Sequence, residues 1–417
     1  MDNQYKTFAQ PNKYQHMAAI CLVIAAFGLP MFSLLTFISL ALATLLWLFS
    51  TDFSLVKKTI GQSSFAKCSL ALFLCIALSA LYSNAPAKFL FKTIVSYREF
   101  LLIPVTMCIL GTAPQYKKTV VNMLIFSLTV VVLLSCLDAY HPLPFSKSTK
   151  HGAINDHYIF SQHITQNVMS SFLVLLALLK ATEKNMALKW KMMFCLIALI
   201  AIINILFLVR GRTGILTLVF NLLIFGYYSL SVKQRWSAAA FVTFFCALIF
   251  LTDNPLNRLV QHTVYEVQAY KQTGEDTSAG LRLAFWQDTW QKIEQNPIVG
   301  YGAGSYKEMY DLDLKNPDKP GYSAGGHHPH DELLLIWFEA GILAAALFLL
   351  FVILLAVAAF KTSDRRLKML QYSVVGMLVI YCIFDVPMLN YIEGMFFWLL
   401  ISLFFTLNPP KYLSEKK

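Results

Sequence analysis

The chain has 417 residues and a formal net charge of +11; 57% of its residues are hydrophobic and 14% are charged. Soluble domains are about 25% charged, so this composition argues against a water-soluble globule and excludes a disordered chain or a disulfide-stapled secreted domain. The basic residues are dispersed through short connectors between apolar runs, which indicates membrane topology and no nucleic-acid binding.

Apolar runs that suit a hydrocarbon core about 30 Å thick recur along the chain. Most of the 34 Lys and Arg residues fall in segments that become cytoplasmic if the N-terminus is cytoplasmic, so we expect both termini there. All histidines except His16 then lie on or near the outer face. The chain is predicted to be an all-α polytopic membrane protein with about 12 transmembrane helices, at residues 17–32, 34–50, 66–82, 89–112, 119–137, 163–180, 190–208, 214–230, 238–252, 332–360, 369–385 and 389–407.

The chain divides into three predicted parts. Residues 1–252 carry the first nine spans, 253–331 form a large outer loop, and 332–417 carry the last three spans and a short cytoplasmic tail. A loop of this length is expected to have structure of its own. We predict one helix from Pro255 to about Tyr270, and an amphipathic helix over 280–295 that ends at an Asn-Pro pair.

Arg210 and Arg212 lie in LVRGRTGIL, between two predicted spans with almost no loop between them. Arginine at a membrane is costly and calls for a partner. Glycines in this stretch favour a tight turn whose guanidinium groups and backbone N–H groups could face a phosphate or pyrophosphate. The alternative is a pair of interfacial arginines that extend to the aqueous phase.

Two features of the outer loop are candidates for sugar and phosphate binding. Arg282 has Trp286 four residues later, the spacing of cation–π neighbours on a helix, and Tyr301 lies in an aromatic-rich stretch. Exposed aromatic rings stack on sugars, although a helix packing face has the same composition.

Three histidines, at 327, 328 and 330, precede Asp331 and Glu332 where the loop re-enters the membrane. A neutral imidazole can accept a proton from a hydroxyl nucleophile, and an adjacent carboxylate can fix its tautomer. Zinc binding and ordinary surface histidines are the alternatives. Asp385, beside a predicted span, fits either ion coupling in a transporter or structural pairing.

These residues together resemble the bacterial O-antigen ligase and polymerase superfamily. The resemblance lies in GRTGIL after the seventh span, GLRLAFW and NPIVGYGAGSY in the outer loop, and HDELL leading into the next span. It implies a glycosyltransferase-C-like fold, a bacterial inner-membrane location and a periplasmic active site. The implied catalytic residues are Arg212, for which Arg210 is the alternative register, Arg282 and His330. From their residue types, the further candidate substrate contacts are Arg210, His328, Trp286 and Tyr301.

The implied activity is an inverting, metal-independent transfer without cofactor. O-antigen polysaccharide moves from undecaprenyl pyrophosphate to a sugar hydroxyl of lipid A-core. The expected partners are the lipid-linked O-antigen, lipid A-core oligosaccharide and membrane lipids. Within the superfamily, an O-antigen polymerase or a protein O-oligosaccharyltransferase is the alternative, and a polytopic transporter or flippase is the alternative of another class.

Overall fold

The computed structural model describes residues 12–50, 53–153, 155–231, 234, 255–273, 277–313 and 328–406, and this part of the chain contains no strand. A π-helix, Asn204–Leu208, follows α10. The α-helices in chain order are α1 (Lys13–Gly28), α2 (Ser33–Ser50), α3 (Phe53–Gln62), α4 (Ser64–Ser79), α5 (Ala87–Ser96), α6 (Glu99–Thr112), α7 (Tyr116–Tyr140), α8 (Lys147–Lys150), α9 (His163–Ala181), α10 (Leu188–Ile203), α11 (Arg212–Ser229), α12 (Pro255–Thr273), α13 (Ser278–Gln295), α14 (Ser305–Asp313), α15 (Glu332–Lys361), α16 (Arg365–Phe384) and α17 (Tyr391–Phe405).

The described part of the chain contains 7 helical stretches long and apolar enough to cross a membrane, and the shorter α4 and α17 are also apolar. The chain is therefore an all-helical polytopic membrane protein. Every predicted span overlaps a helix except 238–252, which lies outside the described residues. The total of twelve, the sidedness and the three-part division stay predictions. The two loop helices predicted from Pro255 and over 280–295 are confirmed as α12 and α13.

Helices α9 and α17 occupy the interior of the bundle. Residues on all sides of α17 are buried, as expected for a helix that is apolar all round. By contrast, only 22% of the apolar stretch of α2, or of α10 with the π-helix that follows it, is buried, and several of their leucines are exposed. Exposed leucine is stable there because lipid, and not water, is the surrounding solvent.

A loop from the outer segment docks into a break in α15. Gly341 interrupts the helix with φ 76°, and residues 297–304, here called the wedge loop, run beside it. The backbone N–H of Gly302 donates to the carbonyl of Glu339 at 2.7 Å. The break is tolerated because the wedge loop bonds polar backbone groups that the helix leaves open. The single continuous span predicted at 332–360 is thus two helical segments.

Glycine is required at this junction by both backbone conformation and space. A Cβ on Gly341 would lie 2.1 Å from the Ile298 carbonyl oxygen, and one on Gly300, at φ 74°, would lie 2.6 Å from the Phe338 carbonyl oxygen. Side-chain-bearing residues rarely adopt such positive φ values. Gly300 of NPIVGYGAGSY and Gly341 of α15 therefore allow the wedge loop to dock onto α15, whereas Gly302 and Gly304 pack closely against residues 83 and 89–90.

A small apolar cluster fixes the outer helices onto the bundle. It joins α13, α14, the first turns of α15 and the loop after α16, through Phe285, Tyr310, Phe338 and Val386. This packing sets the position of α13 relative to the ends of α15 and α16, where the candidate site lies.

Candidate active site

The turn before α11 is shaped by close packing against α9. A Cβ on Gly214 would lie 2.2 Å from Cβ of Asn167, and one on Gly211 would lie 2.8 Å from its Nδ2. The same amide donates to the Val209 carbonyl at 2.8 Å. Gly211 has φ −118°, an ordinary extended value. The glycines are needed here for helix contact, whereas the sequence suggested that they supply a tight turn.

Arg212 begins α11 and forms a two-pronged ion pair with Glu266 of α12. Its Nη1 and Nη2 lie 2.7 and 3.1 Å from the two carboxylate oxygens, and His262 lies 3.5 Å from Nη2. Burial alone would raise the pKa of Glu266, but the hydrogen bonds and charge of Arg212, together with His262, hold it below its ordinary value. The Arg212 side chain is 34% exposed, so it remains accessible to a ligand.

Arg282, on α13, is half-buried and has incomplete hydrogen bonding. Its Nη1 donates to Oγ of Ser278 at 3.1 Å, while Nε has no partner among the described residues. Burial lowers the pKa of this guanidinium; the charges of Asp385 and Glu266 oppose the shift, and Arg212 adds to it. Arginine remains charged in proteins, so a cation with spare donors faces the space shared with Arg212 and Asp385.

His328 and His330 converge on Asp385, which follows α16. Their Nδ1 atoms lie 3.8 and 3.5 Å from one Asp385 oxygen, and their ring centroids are 4.4 Å apart. The His330 ring also stacks on the Phe285 ring, with centroids 6.1 Å apart. Burial would raise the pKa of Asp385, but His330, His328 and its own backbone contacts lower it, so the carboxylate stays ionised at neutral pH.

The backbone at His330 is unusual and is fixed from both sides. His330 has φ 55°, a left-handed value uncommon for a residue with a side chain. The next residue, Asp331, caps α15 by accepting the Leu334 N–H at 2.8 Å. Strained backbone beside a helix cap is typical of positions whose side-chain direction matters.

The segment before α9 and the first residue of α9 also lie beside these charged groups. Asp156 accepts the Arg210 backbone N–H at 3.0 Å and lies 3.4 Å from Nδ1 of His163. His163 in turn interacts electrostatically with Arg282 and Asp385. Residues from five separate parts of the chain therefore surround one polar space, which we call the convergence site: Asp156 and His163, Arg212, Arg282, His328 and His330, and Asp385.

Three groups in the convergence site could hold a metal ion. One ligand atom each from His328, His330 and Asp385 lie within 4.8 Å of one another. Three protein ligands of this type resemble a catalytic zinc set. The sequence suggested His327 as a third ligand, but that residue lies outside the described part of the chain.

The predicted site residues are not all placed alike. Arg212, Arg282, His328 and His330 come together, while the Arg210 side chain is exposed beside them. Trp286 lies one helical turn after Arg282, and its Nε1 is buried with no partner among the described residues. In the same part of the chain, Arg282 forms no cation–π contact with Trp286, because its guanidinium turns toward Ser278.

Tyr301 lies in the wedge loop, away from the convergence of charged groups. Its ring stacks on Phe338 with centroids 4.7 Å apart, and its hydroxyl donates to the Lys292 carbonyl at 2.9 Å. Both contacts are internal to the protein. This placement is that of a residue that fastens α13 to α15.

Sequence reasoning missed several members of the site. Glu266 and Asp156 gave no signal, because each is an ordinary polar residue outside the motifs, and His163 was distinguished only as one of the outer-face histidines. Asp385 did give one: an acidic residue beside a span is costly and needs a partner, and here the partners are two histidines.

The comparison with protein families matches residues 196–349 to the model described as O-Antigen ligase. None of the curated proteins matches the chain. The matched segment contains α11 to α14 and the break in α15, and with them Arg212, Arg282 and His330. The match bears out the resemblance noted from the sequence over this segment: residues 196–349 are similar to the O-antigen ligase family.

Proposed function

We propose that the protein transfers O-antigen polysaccharide from undecaprenyl pyrophosphate to a sugar hydroxyl of lipid A-core, at the periplasmic face of the inner membrane. The observation that supports this best is the meeting of Arg212 and Arg282 with a histidine–aspartate pair, His330 and Asp385, at one end of a membrane helix bundle. The two arginines suit the binding of a diphosphate ester, and the histidine–aspartate pair suits the activation of a hydroxyl nucleophile.

The two arginines bind the donor diphosphate. Arg282 offers an Nε donor that has no partner among the described residues, and the Arg212 fork passes from Glu266 to the donor phosphate. Fixed donors placed where negative charge develops lower the barrier to departure of the pyrophosphate. Because undecaprenyl pyrophosphate is a good leaving group, no general acid is needed.

His330 activates the acceptor. Asp385 accepts from Nδ1–H of His330, which leaves Nε2 free to take the proton of the acceptor hydroxyl. The hydroxyl oxygen then bonds to the anomeric carbon as the bond from that carbon to the phosphate oxygen breaks, with inversion. The 3.5 Å separation of Nδ1 and the carboxylate is long for a hydrogen bond, and such contacts commonly tighten when substrate binds.

The reaction is tested with the full chain in nanodiscs, undecaprenyl-pyrophosphate-linked glycan and lipid A-core. We expect product to form in the presence of EDTA, and His330→Ala to lower turnover by about 10²-fold or more. His141→Ala, an exposed histidine after α7, is the matched control and should behave as wild type. Product that requires an added divalent metal would contradict the metal-independent step.

The acceptor separates the ligase from its alternatives. The same assay is run with a second lipid-linked glycan and with a Ser/Thr peptide in place of lipid A-core. Product only with the lipid-linked glycan would identify a polymerase, and product only with the peptide a protein O-oligosaccharyltransferase. Movement of the donor across a vesicle membrane without glycosidic bond formation would identify a flippase.

A further inference from the structure

A second cavity opens at the same end of the bundle, on the other side of the segment before α9. It has a volume of about 290 Å³ and lies between the α1–α2 turn, α8 and the start of α17. Ile159 and Phe160 line it, while Asp156 and His163 of the same segment belong to the convergence site. Its polar lining includes the side chains of Lys147 and Lys150, and we call it the lysine cavity.

A row of phenylalanines connects this cavity to the lipid-facing surface. Neighbouring ring centroids along the row lie 5.9 to 6.4 Å apart. Three of the rings are about half exposed, at 55%, 48% and 45%. The row, here called the phenylalanine stripe, consists in spatial order of Phe126, Phe27, Phe32, Phe160 and Phe145, the last two of which line the cavity.

The two lysines of the cavity differ from others at this end of the protein. Lys292 and Lys307 are paired with aspartates one turn away on their own helices. In the part of the chain that the structure describes, neither Lys147 nor Lys150 forms an ion pair. Two ammonium groups are therefore available at the upper end of an exposed apolar path.

This combination fits an anionic amphiphile. A hydrocarbon chain can lie along the phenylalanine stripe, since aromatic and lipid groups are both apolar, and a phosphate can accept hydrogen bonds from the lysines. A cavity of this size accommodates a phosphate and part of a sugar, not a whole lipid. The remainder of the headgroup would extend past Ile159 toward His330.

We infer that the lysine cavity binds the phosphate-bearing head of the acceptor glycolipid, separately from the donor diphosphate at Arg212 and Arg282. This rests on the proposed function, which requires two lipid-borne substrates at once. Two distinct anion sites on either side of residues 156–163 would keep the two phosphate-containing lipids from competing for the same arginines.

The test measures kinetics of the full chain in phosphatidylcholine nanodiscs. Lys147→Ala/Lys150→Ala should raise KM for phosphorylated lipid A-core about tenfold, with kcat and donor KM unchanged. Lys147→Arg/Lys150→Arg should restore KM, because charge is retained. Lys88→Ala/Lys92→Ala removes two exposed lysines from α5 and is the matched control, with no change expected.

Removal of the acceptor's phosphates decides whether they are what the lysines recognise. Dephosphorylated acceptor should raise the wild-type KM to that of the double alanine variant, and should leave the variant unchanged. An equal rise in both proteins would overturn the inference. The inference would also be overturned if wild type and the double alanine variant had the same KM after addition of 30% phosphatidylglycerol, since the cavity would then bind bulk anionic lipid. Competition by millimolar inorganic phosphate alone would overturn it as well.

Failure of the proposed function gives a different result. Binding of phosphorylated lipid A-core is measured by native mass spectrometry on wild type and on Lys147→Ala/Lys150→Ala, which needs no turnover. Weaker binding to the variant supports the inference even if no transfer product forms, and equal binding overturns it even if transfer is normal.

Discussion

The wedge loop and the convergence site are neighbours joined by one apolar cluster, yet they treat polar groups in opposite ways. In the wedge loop, backbone N–H groups meet the carbonyls left open at the break in α15, with Gly302 donating to Glu339 as one example. In the convergence site, Nε of Arg282 is buried with no partner among the described residues. Unpaired buried donors cost stability, so they persist where a ligand pairs with them.

The difference separates structural positions from binding positions better than residue type does. At the wedge loop, Gly300 and Gly341 have positive φ and Tyr301 stacks on Phe338, and changes to these residues should alter folding first. Charged groups with spare hydrogen-bonding capacity belong to the convergence site, and changes there should alter transfer first. Substitutions in each of the two regions test this division.

Arg282→Lys should reduce turnover by about 10²- to 10³-fold, because a lysine ammonium cannot reproduce the planar set of donors that binds a diphosphate. Thermal stability should change by no more than about 1 kcal/mol, since the present guanidinium bonds only to Ser278 among the described residues. Single-turnover transfer and thermal unfolding are measured on the same preparation. Arg366→Lys, on α16 and bonded to the Thr182 carbonyl, is the control. Unfolding of Arg282→Lys with normal turnover of the folded fraction would reverse the assignment.

Asp385→Asn should lower kcat about 10²-fold, because the amide no longer favours the His330 tautomer with a free Nε2. The pKa of Asp385 is held below its ordinary value of about 3.9, so the group stays ionised until the pH falls through that lowered value. Its ion-pair stabilisation is likewise present above about pH 4 and lost only in stronger acid. The infrared difference spectrum of wild type minus Asp385→Asn should therefore show no protonated-carboxyl band between about pH 5 and 8. Such a band at pH 5 would contradict a lowered pKa of Asp385.

Gly341→Ala should destabilise the fold by about 3 kcal/mol or more, since φ 76° is unfavourable for alanine and the added Cβ would meet the Ile298 carbonyl at 2.1 Å. Activity should fall only in proportion to the folded fraction. The control is Gly226→Ala, whose Cβ would meet nothing nearer than 3.9 Å and which should be neutral or stabilising by up to about 1 kcal/mol. Folded fraction is measured by protease resistance in nanodiscs.

The sequence predicted the helices well because long apolar runs leave a chain in lipid few other options. It also selected Arg212, because charge at the membrane is costly, Arg282 from its spacing to Trp286, and His330 from the run of histidines beside a span. It could not predict the break at Gly341, because a glycine within a 30-residue apolar run is compatible with a continuous helix. The wedge loop that docks at this break is about 40 residues earlier in the chain, so only the folded structure shows that the two meet.

The sequence also did not predict which side chains the candidate site residues contact. Glu266 is 54 residues from Arg212 in the chain, and Asp385 is 55 residues from His330, so no spacing rule connects them. For Tyr301 the sequence suggested a contact that the structure does not show. Its aromatic surroundings suggested sugar binding, whereas its ring and hydroxyl contact the protein itself.

Glu266→Gln should lower the donor KM about threefold, because the Arg212 fork no longer has to leave an ionised carboxylate before it binds phosphate. The effect is small because the Arg212 side chain is 34% exposed, so solvent screens its charge. Glu266 has a lowered pKa, so its share of stability is lost only as the pH falls through that value, and stability at neutral pH should drop by no more than about 1 kcal/mol. Glu294→Gln, an exposed position on α13, is the control. A donor KM that rises would mean that Glu266 orients Arg212 for binding instead of competing with the donor.

Tyr301→Phe should have the smallest effect, and it tests the division most directly. The substitution removes the hydroxyl that donates to the Lys292 carbonyl but keeps the ring on Phe338, so stability should fall by about 1 kcal/mol. Donor and acceptor KM and kcat should match wild type, because neither contact faces the charged groups. Tyr265→Phe, an exposed position on α12, provides the control for removal of a hydroxyl. A donor KM more than about threefold higher, with stability unchanged, would place Tyr301 among the sugar contacts and extend the binding surface from the convergence site into the wedge loop.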